Sequence, residues 1–172
     1  MRRTIFYLLL ILQLLVISAI GLQYYLIESF GKEITITVSG EDRGSFVDYK
    51  DRLTVYPDIQ TIPEDTWDLD PENLSYQEKV YVLLAENEDG YYNVQKASTK
   101  KMKASEDQVV LPGKYSYQGP YNHDVDYNFE KIPKERHKHV SERKPLVLTL
   151  KVAPWGQKRL VEVEQMESSN KN

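Results

Sequence analysis

From Ile5 to Ile27 the chain carries no charged side chain, and nearly every residue is apolar. No other stretch limits the possible folds as much. A helix rises about 1.5 Å per residue, so a run of this length covers the ~30 Å hydrocarbon core of a bilayer with slight tilt. Gln13 and Gln23 are its main polar interruptions. Tyr24 and Tyr25 lie near the far end, where amphipathic rings favour the headgroup level. Arg2 and Arg3 precede the run and Glu28 follows it. The positive-inside rule then puts the N-terminus in the cytoplasm and the rest of the chain outside. The expected organisation is a cytoplasmic N-terminus over 1–4, a transmembrane anchor over 5–27, an extracytoplasmic β-rich domain over 28–166 and a disordered tail over 167–172.

The same N-terminus has the parts of a signal peptide: two Arg, an apolar stretch and the small-x-small triplet Ala19-Ile20-Gly21. Cleavage near Gly21 would release the domain as a secreted protein. The apolar run continues from Leu22 to Ile27, beyond a normal signal core, which favours a retained anchor.

Taking Arg2 and Arg3 from the 22 basic residues leaves 20 against 26 acidic ones, so the part after the anchor is net acidic. A nucleic-acid binder needs a basic face, so that class is set aside. The same balance argues against broad docking on anionic lipid. There is no cysteine, which excludes disulfides, thiolate metal sites, a Cys nucleophile and a lipidated Cys. The domain must rest on its hydrophobic core, and about 145 residues suffice for one.

Strand patterns dominate after Glu28. Residues 33–38 and 52–56 alternate apolar and polar side chains. Residues 60–73 read as a loop around Trp67. Residues 79–84 form a continuous apolar strand, turned at Asn87–Gly90 into a partner over 91–96. A short strand over 108–111 is expected to end at Pro112-Gly113, with further alternation over 114–118 and 124–129. Residues 133–143 suit one short surface helix. A final hairpin joins 146–152 to 159–163 across Pro154-Trp155-Gly156. The expected fold class is mainly β: an N-terminal transmembrane helix, then one antiparallel sandwich or barrel-like domain. The expected core comprises Ile36, Val55, Val80, Val82, Leu84, Val94, Val110, Phe129, Leu148 and Leu150.

Residues Arg43-Gly44-Ser45-Phe46-Val47-Asp48-Tyr49 resemble the motif Gly-Asp-Tyr-x-x-Leu-x-Tyr that names the GDYXXLXY family. Gly44 matches, Phe46 and Tyr49 replace the first Tyr and the Leu, Ser45 replaces the Asp, and Asp51 stands at the final Tyr. Val80–Ala85 with Asp89-Gly90-Tyr91, Val109–Gly113 and Asp126–Pro133 are similar to later family segments in the same order. The resemblance implies a membrane segment followed by a β-rich domain, and no established activity.

Glu41, Asp42, Asp48 and Asp51 form an acidic patch that suits a hard cation or an acid/base pair. The alternation Asp48/Lys50/Arg52 equally describes a solvated edge strand. Asn87–Gly90 superficially resembles a calcium loop but lacks its later acidic ligand, which favours a turn. His137-Lys138-His139 is flanked by repelling charge, so no metal is assigned. The basic segment 131–144 suits an acidic partner, the membrane surface or plain solvent. Tyr115, Tyr117, Tyr121, Tyr127 and Phe129 suit either a ligand platform or core packing. Neither a nucleophile elbow nor a phosphate loop occurs.

Candidate binding positions are therefore Gly44, Phe46, Asp48, Tyr49, Asp51, Tyr127 and Phe129; the sequence assigns no catalytic residue and leaves catalysis open, and no cofactor is expected. Two functions compete. One is a non-catalytic accessory or interaction module, inserted in the bilayer through 5–27 and paired with another envelope membrane protein. The other is a carboxylate-based extracytoplasmic hydrolase or a glycan- or peptide-binding protein. The hydrolase needs Asp48 or Asp51 to converge with Asp124, Asp126 or Glu130 in one pocket.

Overall fold

The computed structural model describes residues 2–39, 45–117, 123–136, 140 and 144–166. The chain is mainly strands, with one long apolar N-terminal helix and antiparallel sheets that include a half-barrel. Helix α1 (Arg2–Phe30) extends past both ends of the uncharged run. Its segment Ile5–Phe30 is long and apolar enough to cross a membrane. The described side chains of α1 are exposed from Ile5 to Tyr25, Leu26 is half-buried, and Ile27 is buried against the domain. The helix stops at Gly31, whose N–H donates to the Ile27 carbonyl at 2.8 Å.

The strands that follow are β1 (Lys32–Val38), β2 (Ser45–Val47), β3 (Leu53–Val55), β4 (Lys79–Glu86), β5 (Tyr92–Ser98), β6 (Gln108–Tyr117), β7 (His123–Asp126), β8 (Leu146–Val152) and β9 (Lys158–Gln165). They form a three-stranded sheet β1-β8-β9, a ribbon β2-β3 and a four-stranded sheet β5-β4-β6-β7. Every pairing is antiparallel. Alternation sets the inner faces. Ile34, Ile36 and Val38 of β1 are buried, opposite Leu150, Leu148 and Leu146 of β8. Val80, Val82 and Leu84 of β4 point inward with Val109 and Leu111 of β6. Leu53 pairs with Ile132 and closes the third side, so one apolar core joins all three sheets.

The hairpin across Asn87–Gly90 forms as expected. Asn87 Oδ1 accepts from the N–H groups of Asp89 and Tyr91 at 3.0 and 2.9 Å, and Gly90 takes φ +84°. This is turn chemistry, not a metal loop. The loop around Trp67 holds 3-10 turns at Asp58–Gln60, Glu64–Thr66 and Pro71–Asn73. Thr37 and Ser39 both donate to Asp58, which ties this loop to β1. The expected surface helix is represented by a single 3-10 turn, Lys134–Arg136. Residues 137–139, 141–143 and the expected tail 167–172 lie outside the described residues.

Strand β6 departs from its expected length. It continues through Pro112 and Gly113 instead of ending there. Strand β7 pairs only with Lys114–Tyr117, so among the described residues Pro112 has β4 on one side and no strand on the other. A missing N–H is tolerated at such an edge. Gly113 is required by proximity: a Cβ there would run into Val125 Cγ1 and come within 3.2 Å of the Tyr127 ring. Strand β7 stops at Asp126, because Asn128 takes φ +51° and bends the chain away. The expected core also shifts. Val110 faces outward between buried Val109 and Leu111, while Val94 and Phe129 are only partly buried.

Gly113→Ala is expected to cost about 1–3 kcal/mol through overpacking. It should appear as a lower thermal unfolding midpoint of the full chain in detergent, with Gly21→Ala, where a Cβ meets nothing within 4 Å, as the neutral control.

Candidate functional site

The motif-like residues build a turn. Asp48 sits just after β2, its side chain only 7 % exposed. Its Oδ1 accepts from the backbone N–H of Lys50 at 2.9 Å and of Arg52 at 3.1 Å. Its Oδ2 accepts from Arg52 Nε and Nη2 at 3.1 and 2.9 Å, and from Lys131 Nζ at 3.3 Å. Desolvation pushes the Asp48 pKa up, but these hydrogen bonds outweigh it and hold the carboxyl well below the usual carboxylate range. Asp51 takes φ +55° at the tip and pairs with Lys134 at 2.8 Å. Phe46 faces outward and stacks on Tyr56, with ring centroids 6.0 Å apart. Tyr49 is fully splayed into solvent. Gly44, Glu41 and Asp42 lie outside the described residues.

The carboxylates do not converge. Asp48 and Asp51 are bound to cations on the β2–β3 turn. Asp124 accepts from Thr61 at 3.0 Å and borders, with Asp126, a separate recess of about 250 Å³. Glu130 lines an adjoining cleft that shares Val55, Asn128 and Phe129 with that recess, and neither Asp48 nor Asp51 lines either one. No group of three metal-ligating side chains occurs among the described residues. Of the aromatic run, Tyr115 and Tyr127 are core rather than platform, and Phe129 is partly buried. Tyr127 is buried with its hydroxyl on the Ile59 carbonyl at 3.0 Å, and burial raises its pKa well above normal. Tyr115 is buried with its hydroxyl 2.8 Å from His123 Nδ1, under the edge of Trp67. Tyr121, His137 and His139 lie outside the described residues, as does the Tyr117 side chain.

A cleft of about 380 Å³ lies between the C-terminal half of α1 and the base of the domain. Ile20, Gln23 and Ile27 form its helix wall, and Val55, Leu148 and Leu150 are among its apolar lining. Glu28 clamps the helix to the sheet by accepting from Lys151, and from Arg159 at 3.1 Å. The Arg159 guanidinium also lies 4.4 Å from the Tyr24 ring centroid, a cation–π contact. Lys158 enters the cleft from β9. Its ammonium donates to the Tyr127 carbonyl and lies over Phe129 at 5.3 Å. Desolvation lowers the Lys158 pKa, partly opposed by Asp126 and Glu130. Sequence reasoning missed this cleft. Gln23, an amide inside an apolar run, was the available signal, since polar groups in such helices tend to face protein.

The GDYXXLXY protein family matches residues 13–163, from the middle of α1 to the end of the last hairpin. The chain belongs to the GDYXXLXY family. No curated protein and no solved structure matches it. The family is one of unknown function, so membership conveys an architecture. In this GDYXXLXY member the described part of the segment that resembles the motif, from Ser45 onward, lies in the β2–β3 hairpin. The ring that meets Phe46 is Tyr56, beyond the turn.

The sign of the Asp48 contribution follows from its lowered pKa. The unfolded chain takes up that proton near pH 4 while the folded chain still resists it. Its stabilisation is therefore present above that pH and is lost as pH falls toward the folded pKa. Thermal midpoints between neutral pH and about pH 3 should fall more steeply in wild type than in Asp48→Asn, which starts lower and is flatter.

Proposed function

We propose that this GDYXXLXY protein is a retained single-pass membrane protein with its N-terminus in the cytoplasm. Its domain stands outside as a non-catalytic interaction module. The cleft at its base receives an apolar juxtamembrane segment of a second envelope membrane protein.

One observation carries the reading: the cleft has α1 as one wall, so it opens where the anchor meets the domain. A segment reaching it need not leave its own bilayer. Accessible apolar lining from Ile20, Phe129 and Leu160 favours an apolar occupant, and Lys158 and Arg159 at the margin favour a polar or acidic flank. Outside α1, the exposed large apolar or aromatic side chains are Phe46, Tyr49, Tyr76, Trp155 and Val161 among the described residues. They belong to separate elements, so the cleft is the better-formed surface. Retention is supported by a helix that runs unbroken through Ala19–Gly21, and by a family match that includes the helix from residue 13. Orientation rests on Arg2 and Arg3 before the apolar run.

A photoreactive residue at Gln157, exposed on the cleft margin, should crosslink one specific membrane protein in intact membranes. The same residue at exposed Tyr76, which does not line the cleft, should not. Equal, diffuse labelling from both positions would reject the interaction module.

A further inference from the structure

The β8–β9 turn separates that cleft from a second recess, and Gly156 borders both. This groove, about 560 Å³, runs over the outward faces of β4 and β6 at Tyr81, Val110 and Pro112. Lys32, Lys79, Lys101 and Lys103 line it, against a single acid, Glu106. Lys32 stands two residues beyond the end of α1. Its ammonium donates to the Glu106 carbonyl at 2.6 Å and holds segment 101–106 to this end of the domain. Lys101 and Lys103 extend into solvent. Lys79 lies 5.1 Å over the Tyr81 ring. Trp155 is 45 % exposed on the turn, its indole N–H donating to Gln157 at 2.8 Å.

We infer that this groove binds the anionic headgroups of phospholipids in the bilayer that holds the anchor. The inference rests on the membrane reading above and adds a ligand to it. Three features select the headgroup layer as the occupant. The groove's first lysine follows the membrane helix almost directly, so the chain itself holds the site at the bilayer surface. Four ammonium groups against one carboxylate suit phosphodiester charge. An exposed indole beside an apolar strip suits the interface, where Trp side chains concentrate. Tethering keeps the headgroups at high effective concentration, so weak individual contacts suffice.

The test reconstitutes the full chain into vesicles of phosphatidylcholine, with or without phosphatidylglycerol, carrying bromine near the headgroup end of the acyl chains. Flotation reports the anchor, and the Trp155 share of fluorescence quenching, taken against Trp155→Phe, reports the groove. The protein should float with both lipids. Quenching should be about twofold or more greater with phosphatidylglycerol and fall back in about 0.5 M salt. It should fall back likewise in Lys101→Gln/Lys103→Gln, whose exposed side chains leave the core untouched. Flotation with equal quenching in both lipids, unchanged by the substitutions, overturns the headgroup site while the anchor stands. Loss of the difference on adding inorganic phosphate at constant ionic strength also overturns it, in favour of a free-phosphate site. Failure to float overturns the membrane reading beneath it.

Discussion

A single residue, Gly31, lies between the last turn of α1 and the first residue of β1. A Cβ at that position would collide with the Ile27 carbonyl, so this one-residue link between helix and sheet favours glycine. Glu28 then binds Lys151 of β8 and Arg159 of β9, which fixes the helix across two further strands. With so short a connection, the direction of α1 is set by the sheet's own edge. The cleft and the lysine groove both follow from that geometry, because β1, the β8–β9 turn and the helix end all crowd onto one end of the domain. Exposed ion pairs are individually weak, but here they act with a covalent constraint that leaves little freedom to lose.

The apolar N-terminal helix and the hairpins were legible in the sequence because each depends on local information. Absence of charge over one stretch defines the helix, and Asn87–Gly90 between two apolar strands defines a turn. The length of β6 was not legible. Pro112 and Gly113 usually break a strand, yet among the described residues Pro112 has a strand on only one side and Gly113 admits Val125 at short range. Both reasons depend on β7, whose pairing with β6 the local pattern does not disclose. The Val109/Val110 error is a one-residue phase choice, and only the register Val82↔Leu111 resolves it.

The site shows the same division. Asp48 was seen as part of an acidic patch or a solvated edge. Its accepted N–H groups from residues two and four positions later mark it as the organiser of its turn. Lys131 and Lys134 then answer Asp48 and Asp51 from far along the chain. Thus two described cations of the basic segment 131–144 are engaged with the hairpin, and Arg136 caps the Leu160 and Val161 carbonyls on edge strand β9. Tyr115 and Tyr127 could be read for burial or for display. Their hydroxyl partners, His123 and the Ile59 carbonyl, decide for burial and lie in segments that no periodicity connects.

Net charge and local charge lead to different conclusions here, and distance decides between them. The acidic excess after the anchor argues against laying the whole domain on anionic lipid. Screening confines such effects to about 8–10 Å at physiological salt, so a headgroup responds to the nearest side chains rather than to the sum. At the base those are Lys32, Lys101 and Lys103 in the groove. Lys151 and Arg159 contribute less, because each is shared with Glu28. Asp48 and Asp51 sit on a separate hairpin, each with its own cation. A domain can therefore repel an anionic surface over most of its area and still attract it at the one end that its anchor holds there. Under the proposed anchoring, an acidic remainder would also disfavour lying flat, so the same charge pattern that limits the contact would help keep the domain upright over its helix.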